Sequence, residues 1–301
     1  ADGLTEDLIT DLSKIDDLFV IARNSSFAYR NSPKNVVQIG QELNVRHVLE
    51  GSVRKAGDRV RINAQLIDAS SGGHVWAERY DSDVQDIFAL QDEIADKIIA
   101  ALQVNLKQGL DKNRSTHSVE AYELSLKGRA KFFMFSPETN RECISLFEQA
   151  LAIDPTFADA WAGLVFPYQS GWSFAWPGYD DGLKNAAEKA QQAINLAPRS
   201  SLANSRYGWV QTFLRNPEAS IKSFETALEI DPNNADTYCW FSEALNYAGQ
   251  PERAIQAGLT GLQFDPVAPP NALYHIAHGY FLSGDLDAAE EYNKRAIRMA
   301  P

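Results

Sequence analysis

The sequence predicts an α+β N-terminal domain, with helices on a mostly antiparallel sheet, followed by an all-α superhelix of paired helices. Three observations predict this division. A self-similar segment recurs about every 34 residues after residue 119, apolar and polar residues alternate between residues 49 and 80, and an amphipathic stripe follows residue 84.

The repeat shows most clearly in five segments that end alike. Segments such as ALAIDP and ALEIDP close at prolines spaced 43, 34, 34 and 35 residues apart, which are Pro155, Pro198, Pro232, Pro266 and Pro301. Small residues such as Gly208 and Ala227 let two antiparallel helices approach closely, and each proline stops the second helix of its pair. Over roughly its last 180 residues the chain therefore resembles the tetratricopeptide repeat (TPR) family.

The predicted organisation has three parts. Residues 1–110 form the α+β domain, residues 111–118 form a short polar linker, and residues 119–301 form the repeats. The five hairpins are predicted at 119–155, 156–198, 199–232, 233–266 and 267–301. The first carries about three extra residues around 133–137, and the second carries about nine extra within the aromatic stretch 171–179.

The N-terminal part is predicted from changes in periodicity. The apolar run Leu18–Ala22 is typical of a buried strand, and a helix is expected over residues 35–43. Two alternating stretches around the turn at Gly57 predict a hairpin with one dry and one wet face, and a third strand is expected through Trp76. A long amphipathic helix follows at 84–110, which we expect to pack near the first repeat helix.

The amino-acid sequence of this N-terminal part shows a second resemblance to a known family. The segments ADGLTEDLITDLSKI, FVIARNSSFAY and VRHVLEGSVRKAGDRVRINAQLIDASSGGHVWAERYD resemble the TolB amino-terminal-like domain that stands beside TPR arrays in bacterial signalling proteins. They are most similar to the region after the catalytic domain of class III adenylate or guanylate cyclases. Relatives of this arrangement also follow winged-helix domains in transcription regulators. The family opens with an apolar strand before the ADG segment, so we expect that strand to be missing here, which would leave a sheet edge unpaired.

Composition narrows the classes of function. The net charge of −12 argues against nucleic-acid binding, and the sequence contains no apolar run long enough to span a membrane and no signal peptide. Two cysteines, Cys143 and Cys239, are too few for a disulfide framework and favour a reducing, cytoplasmic location. Because the chain begins at Ala1, we expect it to be a piece of a larger protein.

Motifs for catalysis are not found. The sequence shows no phosphate loop, dinucleotide glycine pattern or nucleophile elbow, so we predict no catalytic residue, no cofactor and no cyclase activity in this chain. His275 and His278 have metal-ligand spacing, but packing or groove roles are favoured and no metal is predicted. Arg59 and Arg61 could hold an anion, although cross-strand pairing with Glu50 or Glu78 is the commoner use.

Binding is the remaining class of function, and the first helix of each repeat is expected to line a concave groove. The candidate partner-binding residues are Tyr122, Arg129, Phe133, Trp209, Phe213, Glu243, Tyr247, Tyr274 and His278. The alternative is that their aromatic rings only pack the superhelix. A possible contact loop carries Trp172, Phe174 and Trp176, for which packing inside the molecule is favoured over a partner contact.

The sequence thus predicts a non-catalytic regulatory and interaction region of a bacterial adenylate (class III nucleotide) cyclase. Its expected partner is a protein or peptide in the groove, or a second copy in a homodimer, with neither nucleic acid nor membrane involved. The alternatives are an accessory region of a winged-helix transcription regulator and a small-molecule-sensing α/β domain.

Overall fold

The computed structural model describes residues 2–30, 32–103, 114–132 and 134–299. Its contacts divide the chain into two compact units. The first unit is Ala1–Lys112 together with Leu262–Ala268, and the second is Asn113–Gly261 together with Pro269–Pro301. Each unit has its own buried apolar clusters, as the predicted α+β and all-α parts require.

The first unit contains a three-stranded antiparallel sheet in the order β1-β2-β3. One face is dry because Val60, Ile62, Ala64 and Leu66 on β2 are buried, as the alternation predicts, and Val60 and Ile62 pack in a cluster with helix residues. The elements are α1 (Asp2–Ser13), α2 (Arg23–Phe27), α3 (Val36–Leu43), β1 (His47–Ala56), β2 (Arg59–Asp68), β3 (Gly73–Asp83), a 3-10 turn (Val84–Asp86) and α4 (Ile87–Ala101).

Two sequence expectations need correction here. The run Leu18–Ala22 is not a strand: Leu18 and Val20 pack on the cluster below the sheet, while Ile21 packs on a separate cluster with Ile39. Neighbouring side chains of this run therefore pack in two different clusters, and within the described residues the run belongs to no sheet. The long helix begins only at Ile87, and its predicted part from 104 to 110 lies outside the described residues.

The segment 262–268 is held within the first unit by a buried carboxylate. Asp265 is 2% exposed and accepts hydrogen bonds from the backbone N–H and the hydroxyl of Ser25, at 3.0 and 2.5 Å, and from the Asn24 amide at 3.1 Å. The Ser25 hydroxyl in turn accepts from the backbone N–H of Val267 at 2.8 Å. Three donors satisfy this buried charge, which makes its burial tolerable.

The second unit consists of paired helices. Where the sequence places a closing proline at 155, 198, 232 and 266, the second helix ends two residues earlier. The pairs are α5 (Val119–Phe132) with α6 (Pro137–Ile153), α7 (Ala158–Gly163) and α8 (Val165–Ser173) with α9 (Gly182–Leu196), α10 (Ser201–Phe213) with α11 (Pro217–Ile230), α12 (Ala235–Tyr247) with α13 (Pro251–Phe264), and α14 (Pro270–Ser283) with α15 (Leu286–Met299).

Close contacts between helices depend on small residues. Phe147 is 2% exposed and packs where a Cβ added to Gly163 would lie 2.4 Å from its ring, so that position accepts only glycine without rearrangement. In the third hairpin Ser220, Phe224 and Ala227 are buried, as the repeat spacing predicts. Cys143 and Cys239 are both buried, and burial raises the pKa of the Cys143 thiol to about 12.

In each of the last three hairpins, the turn between the paired helices contains one residue with a positive φ angle. Arg215 has φ 58° and donates its N–H to the Thr212 carbonyl, while Asn216 donates to Gln211. This is the Schellman pattern, and Gly249 and Gly284 occupy the equivalent positive-φ positions of the next two hairpins. A non-glycine residue in this conformation is strained. Arg215 therefore destabilises its turn relative to the glycines at the other two positions.

Replacing Arg215 by glycine should therefore raise the free energy of unfolding by about 0.5–1 kcal/mol, since the strain is relieved and the side chain is exposed. Urea denaturation followed by circular dichroism measures the change. The matched reverse variant, Gly249→Ala, should lower stability by a similar amount. An Arg215→Gly protein less stable than the parent would contradict this account.

Candidate functional site

Aromatic rings run across the first helices of the five hairpins, and we call this set the aromatic ladder. Phe132 stacks on Phe166 at 5.7 Å between centroids, Phe166 meets Trp209 edge-on at 4.3 Å, and Trp209 lies 5.3 Å from Trp240. The members of the ladder are Phe132, Phe166, Trp209, Phe213, Trp240, Tyr247, Tyr274, His275 and His278. Such tilted and edge-on pairs stabilise packing beyond the area that they bury.

The exposed end of the ladder lies on α12 and α14. Tyr247 is 62% exposed and Tyr274 54% exposed. His278 lies between them, with centroids 6.3 Å from Tyr247 and 6.2 Å from Tyr274. Phe213 extends this surface to α10 at 6.3 Å from Tyr247. These rings form a surface with large accessible faces, which is what a partner-binding groove requires.

The other predicted groove residues differ in exposure. Trp209 is only 5% exposed and belongs to the core, whereas Tyr122, Arg129, Phe213, Glu243 and His278 are half-buried. Phe133 lies outside the described residues. Direct partner contact by this set stays a prediction, and for Trp209 the burial shows a packing role as well.

Sequence reasoning missed three residues of this surface, namely Phe166, Trp240 and Arg206. Trp240 precedes Glu243 by three residues and therefore shares its helix face. This spacing in the sequence could have identified Trp240 as a residue of the same surface. Phe166 lies in the hairpin with the long insertion, where the repeat register is harder to assign. The Arg206 guanidinium lies 3.7 Å from the centroid of the Phe166 ring, and burial lowers its pKa to about 10 while Asp236 opposes that shift.

Glu243 is an acidic residue that contacts the aromatic ladder through Trp209. Its Oε2 accepts a hydrogen bond from the Trp209 indole N–H at 3.1 Å. Burial raises the pKa of the Glu243 carboxyl to about 7, and the Trp209 bond opposes the shift only in part. Near neutral pH this carboxyl therefore exists in both protonation states.

The two histidines lie on α14 but differ in environment. His275 is 5% exposed, and burial together with His278 lowers its pKa to about 4, so the ring is neutral at physiological pH. Trp240 and Tyr274 pack beside it, with centroids at 5.9 and 5.8 Å. Nowhere in the described part of the chain do three or more His, Cys, Asp or Glu side chains gather as metal ligands would.

The aromatic insertion packs on its own unit and also leaves rings exposed. Tyr179 is 7% exposed, and its hydroxyl accepts a hydrogen bond from the Asn140 amide at 2.8 Å. Trp176 is half-buried and lies 5.6 Å from Phe135, while Phe174 is 59% and Trp172 38% exposed. The loop is therefore anchored by Tyr179, and a partner contact by its exposed rings stays a prediction.

The arginines on the wet face of the sheet are already paired. Arg61 Nε lies 2.5 Å from Asp81 Oδ1, and Arg59 Nη1 lies 3.7 Å from Asp83 Oδ1. The expected partners Glu50 and Glu78 are wrong, because the register places Asp81 and Asp83 directly opposite. These exposed pairs contribute little stability, and they occupy the groups that an anion would need.

Comparison with known proteins confirms the repeats. Residues 223–256 match one profile described as tetratricopeptide repeat, and residues 203–234 and 270–301 match a second. The chain thus contains tetratricopeptide repeats in the region of its last three predicted hairpins. No described helix has both the length and the apolar character needed to cross a membrane.

A curated relative covers much of the chain. "Putative adenylate cyclase 3" of Rhizobium meliloti (strain 1021) is 46% identical over 202 residues, which is 65% of this chain and 34% of the relative. The chain thus spans about a third of the length of that relative.

The similar solved structures are more distant in sequence. TTC0263, a thermophilic TPR protein of Thermus thermophilus, is 17% identical with a TM-score of 0.48, and the match covers 60% of this chain and 92% of that one. The type IV pilus biogenesis factor PilW is 21% identical with a TM-score of 0.48, over 60% of this chain and 79% of PilW.

Two ladder residues should respond differently to truncation. Trp209→Ala should lower the free energy of unfolding by about 3–5 kcal/mol because it removes a buried ring, whereas Tyr247→Ala should change it by less than about 1 kcal/mol. Urea denaturation of both variants measures the difference. Equal losses would mean that Tyr247 is core and belongs to no binding surface.

The stability of the second unit should depend on Glu243 and pH. The folded state holds the proton of Glu243 more tightly than the unfolded chain, so stability falls as pH rises from about 4.5 to 7 and is constant above. Glu243→Gln keeps an acceptor for Trp209 and cannot ionise. Relative to the parent, this variant should gain about 3 kcal/mol between pH 4 and pH 8.

Thermal or urea unfolding across this pH range measures the gain. Glu229→Gln is the matched control, since Glu229 is exposed on the second helix α11 and should show no such trend. A Glu243→Gln protein with the parent's pH profile would show that the carboxyl is already ionised in the folded state.

Proposed function

We propose that this chain is a non-catalytic regulatory and protein-interaction region of a bacterial class III nucleotide cyclase. The observation that carries the proposal is the exposed end of the aromatic ladder on a tetratricopeptide array. Exposed tyrosines backed by buried rings are the usual anchors of protein interfaces, because rigid aromatic side chains lose little entropy on binding.

The choice of a cyclase rests on the relative from Rhizobium meliloti. Identity of 46% is high enough to support a common role for the shared region, and the match leaves two thirds of the relative for other domains. In this proposal the first unit is a TolB amino-terminal-like domain and the protein acts in the cytoplasm. The array binds a protein segment or a second copy of itself, and thereby biases the pairing of catalytic domains and the formation of cyclic AMP.

The proposal can be tested with the complete product of the gene. We expect that protein to form cyclic AMP from ATP, and the 301-residue chain alone to form none. Tyr247→Ala in the complete protein should change turnover roughly fivefold, the equivalent of a binding contact of about 1 kcal/mol.

Ile153→Ala serves as the control, since Ile153 is a 41% exposed apolar residue on the second helix α6. A complete protein that lacks cyclase activity and carries a winged-helix domain would overturn the cyclase assignment. Unchanged turnover in Tyr247→Ala would overturn the regulatory role of the ladder.

A further inference from the structure

We propose that Glu243, Tyr247 and Tyr274 form a subsite for an arginine side chain of the protein segment that binds the array. The proposal rests on the function proposed above, because it assigns a chemical preference to the same surface. It concerns one position on that surface and the charge of the group that occupies it.

The first argument is the unbalanced charge of Glu243. Its Oε2 accepts a hydrogen bond from the Trp209 indole, and in the described part of the chain no lysine or arginine pairs with this carboxylate. The cation on the neighbouring helix, Arg206, is already placed over Phe166 and is influenced by Asp236. A half-buried carboxylate without a cation is costly, so an incoming positive group would remove a penalty.

The second argument is the arrangement of exposed rings. Tyr247 follows Glu243 by four residues on α12 and is therefore one helical turn away on the same face. His278 lies between Tyr247 and Tyr274, with ring centroids 6.3 and 6.2 Å away, so Tyr274 borders the same surface. The three side chains thus lie close enough to act on one bound group.

Arginine fits this combination better than other side chains. Its planar guanidinium can stack on tyrosine faces while its N–H groups bond a carboxylate, whereas an apolar side chain would cover Glu243 without satisfying it. An acidic side chain would add repulsion to a protein whose net charge is already −12. The charge of Glu243 and the net negative charge of the chain therefore both favour a cationic side chain at this position.

Protonation should be coupled to this binding. Besides Glu243, the titratable groups on α10, α12 and α14 are Arg206, Tyr207, Asp236, Tyr238, Cys239, Tyr247, Tyr274, His275, His278 and Tyr280. Of these, Arg206 remains cationic and His275 neutral across the physiological range. A guanidinium stabilises the ionised carboxylate, so binding should release a proton near neutral pH and strengthen as pH rises from 6 to 8.

The test uses an acetylated and amidated heptapeptide, Gly-Ser-Leu-Arg-Leu-Ser-Gly, and the same peptide with citrulline, which has the shape of arginine without its charge. The Trp209 indole N–H resonance, assigned with Trp209→Phe, reports occupancy beside Glu243. We expect the arginine peptide to bind roughly tenfold more tightly at pH 8, the equivalent of one charge-assisted contact.

Glu243→Gln should abolish the preference for arginine, and Glu229→Gln should keep it. The glutamine variant is expected to be at least as stable as the parent at this pH, so loss of binding cannot be ascribed to unfolding. Equal binding of both peptides, no binding of either, or a preference that survives Glu243→Gln would overturn the subsite. The cyclase assay of the complete protein is independent of this result, so the two proposals can fail separately.

Discussion

The second unit depends on the close approach of helices at positions that accept almost no side chain. A Cβ on Gly163 would lie 2.4 Å from the Phe147 ring, and one on Gly258 would lie 2.4 Å from Ile276 Cγ1. Each large residue fills the space that the glycine leaves, so paired and successive helices pack closely at these positions. Each hairpin contacts mainly its neighbours. A side chain that does not fit at one of these positions would therefore displace the adjacent hairpin first.

This close packing also determines which side chains reach the surface. Phe224 and Ala227 are fully buried between the helices of their pair, so the aromatic residues on the opposite side of α10 and α12 must pack against one another or face solvent. Trp209 takes the first course and Tyr247 the second. The ladder is therefore partly core and partly exposed surface, and a residue's position along its helix decides whether its ring is buried or accessible.

Local patterns predicted much of this from the sequence, whereas features that depend on distant partners were harder. The hairpins and the strand alternation follow from spacing within each segment. Leu18–Ala22 has the composition of a strand, but a strand also needs a neighbour, and the chain offers its side chains two clusters instead. The partners of Arg59 and Arg61 depend on register across a turn, which composition does not determine.

The candidate site likewise depends on contacts between residues that are distant in sequence. The face on which Glu243 and Tyr247 lie follows from helix periodicity, but the burial of Glu243 depends on Trp209 from the preceding repeat and on rings that pack beside it. A protonation state that depends on contacts between α10 and α12 cannot be obtained from the periodicity of one helix. Trp209 likewise has the residue type of an interface anchor and the burial of a core residue.

The burial of both cysteines has a practical consequence for measurement. Cys143 is fully inaccessible, its thiol pKa is about 12, and Cys239 is only 7% exposed, so native thiols should react slowly with maleimides. A cysteine engineered at an exposed position on the second helix of a pair would then be labelled selectively, and neither native cysteine would need to be removed. Pairs of such labels on different repeats would report distances in the unaltered fold, with and without a bound peptide.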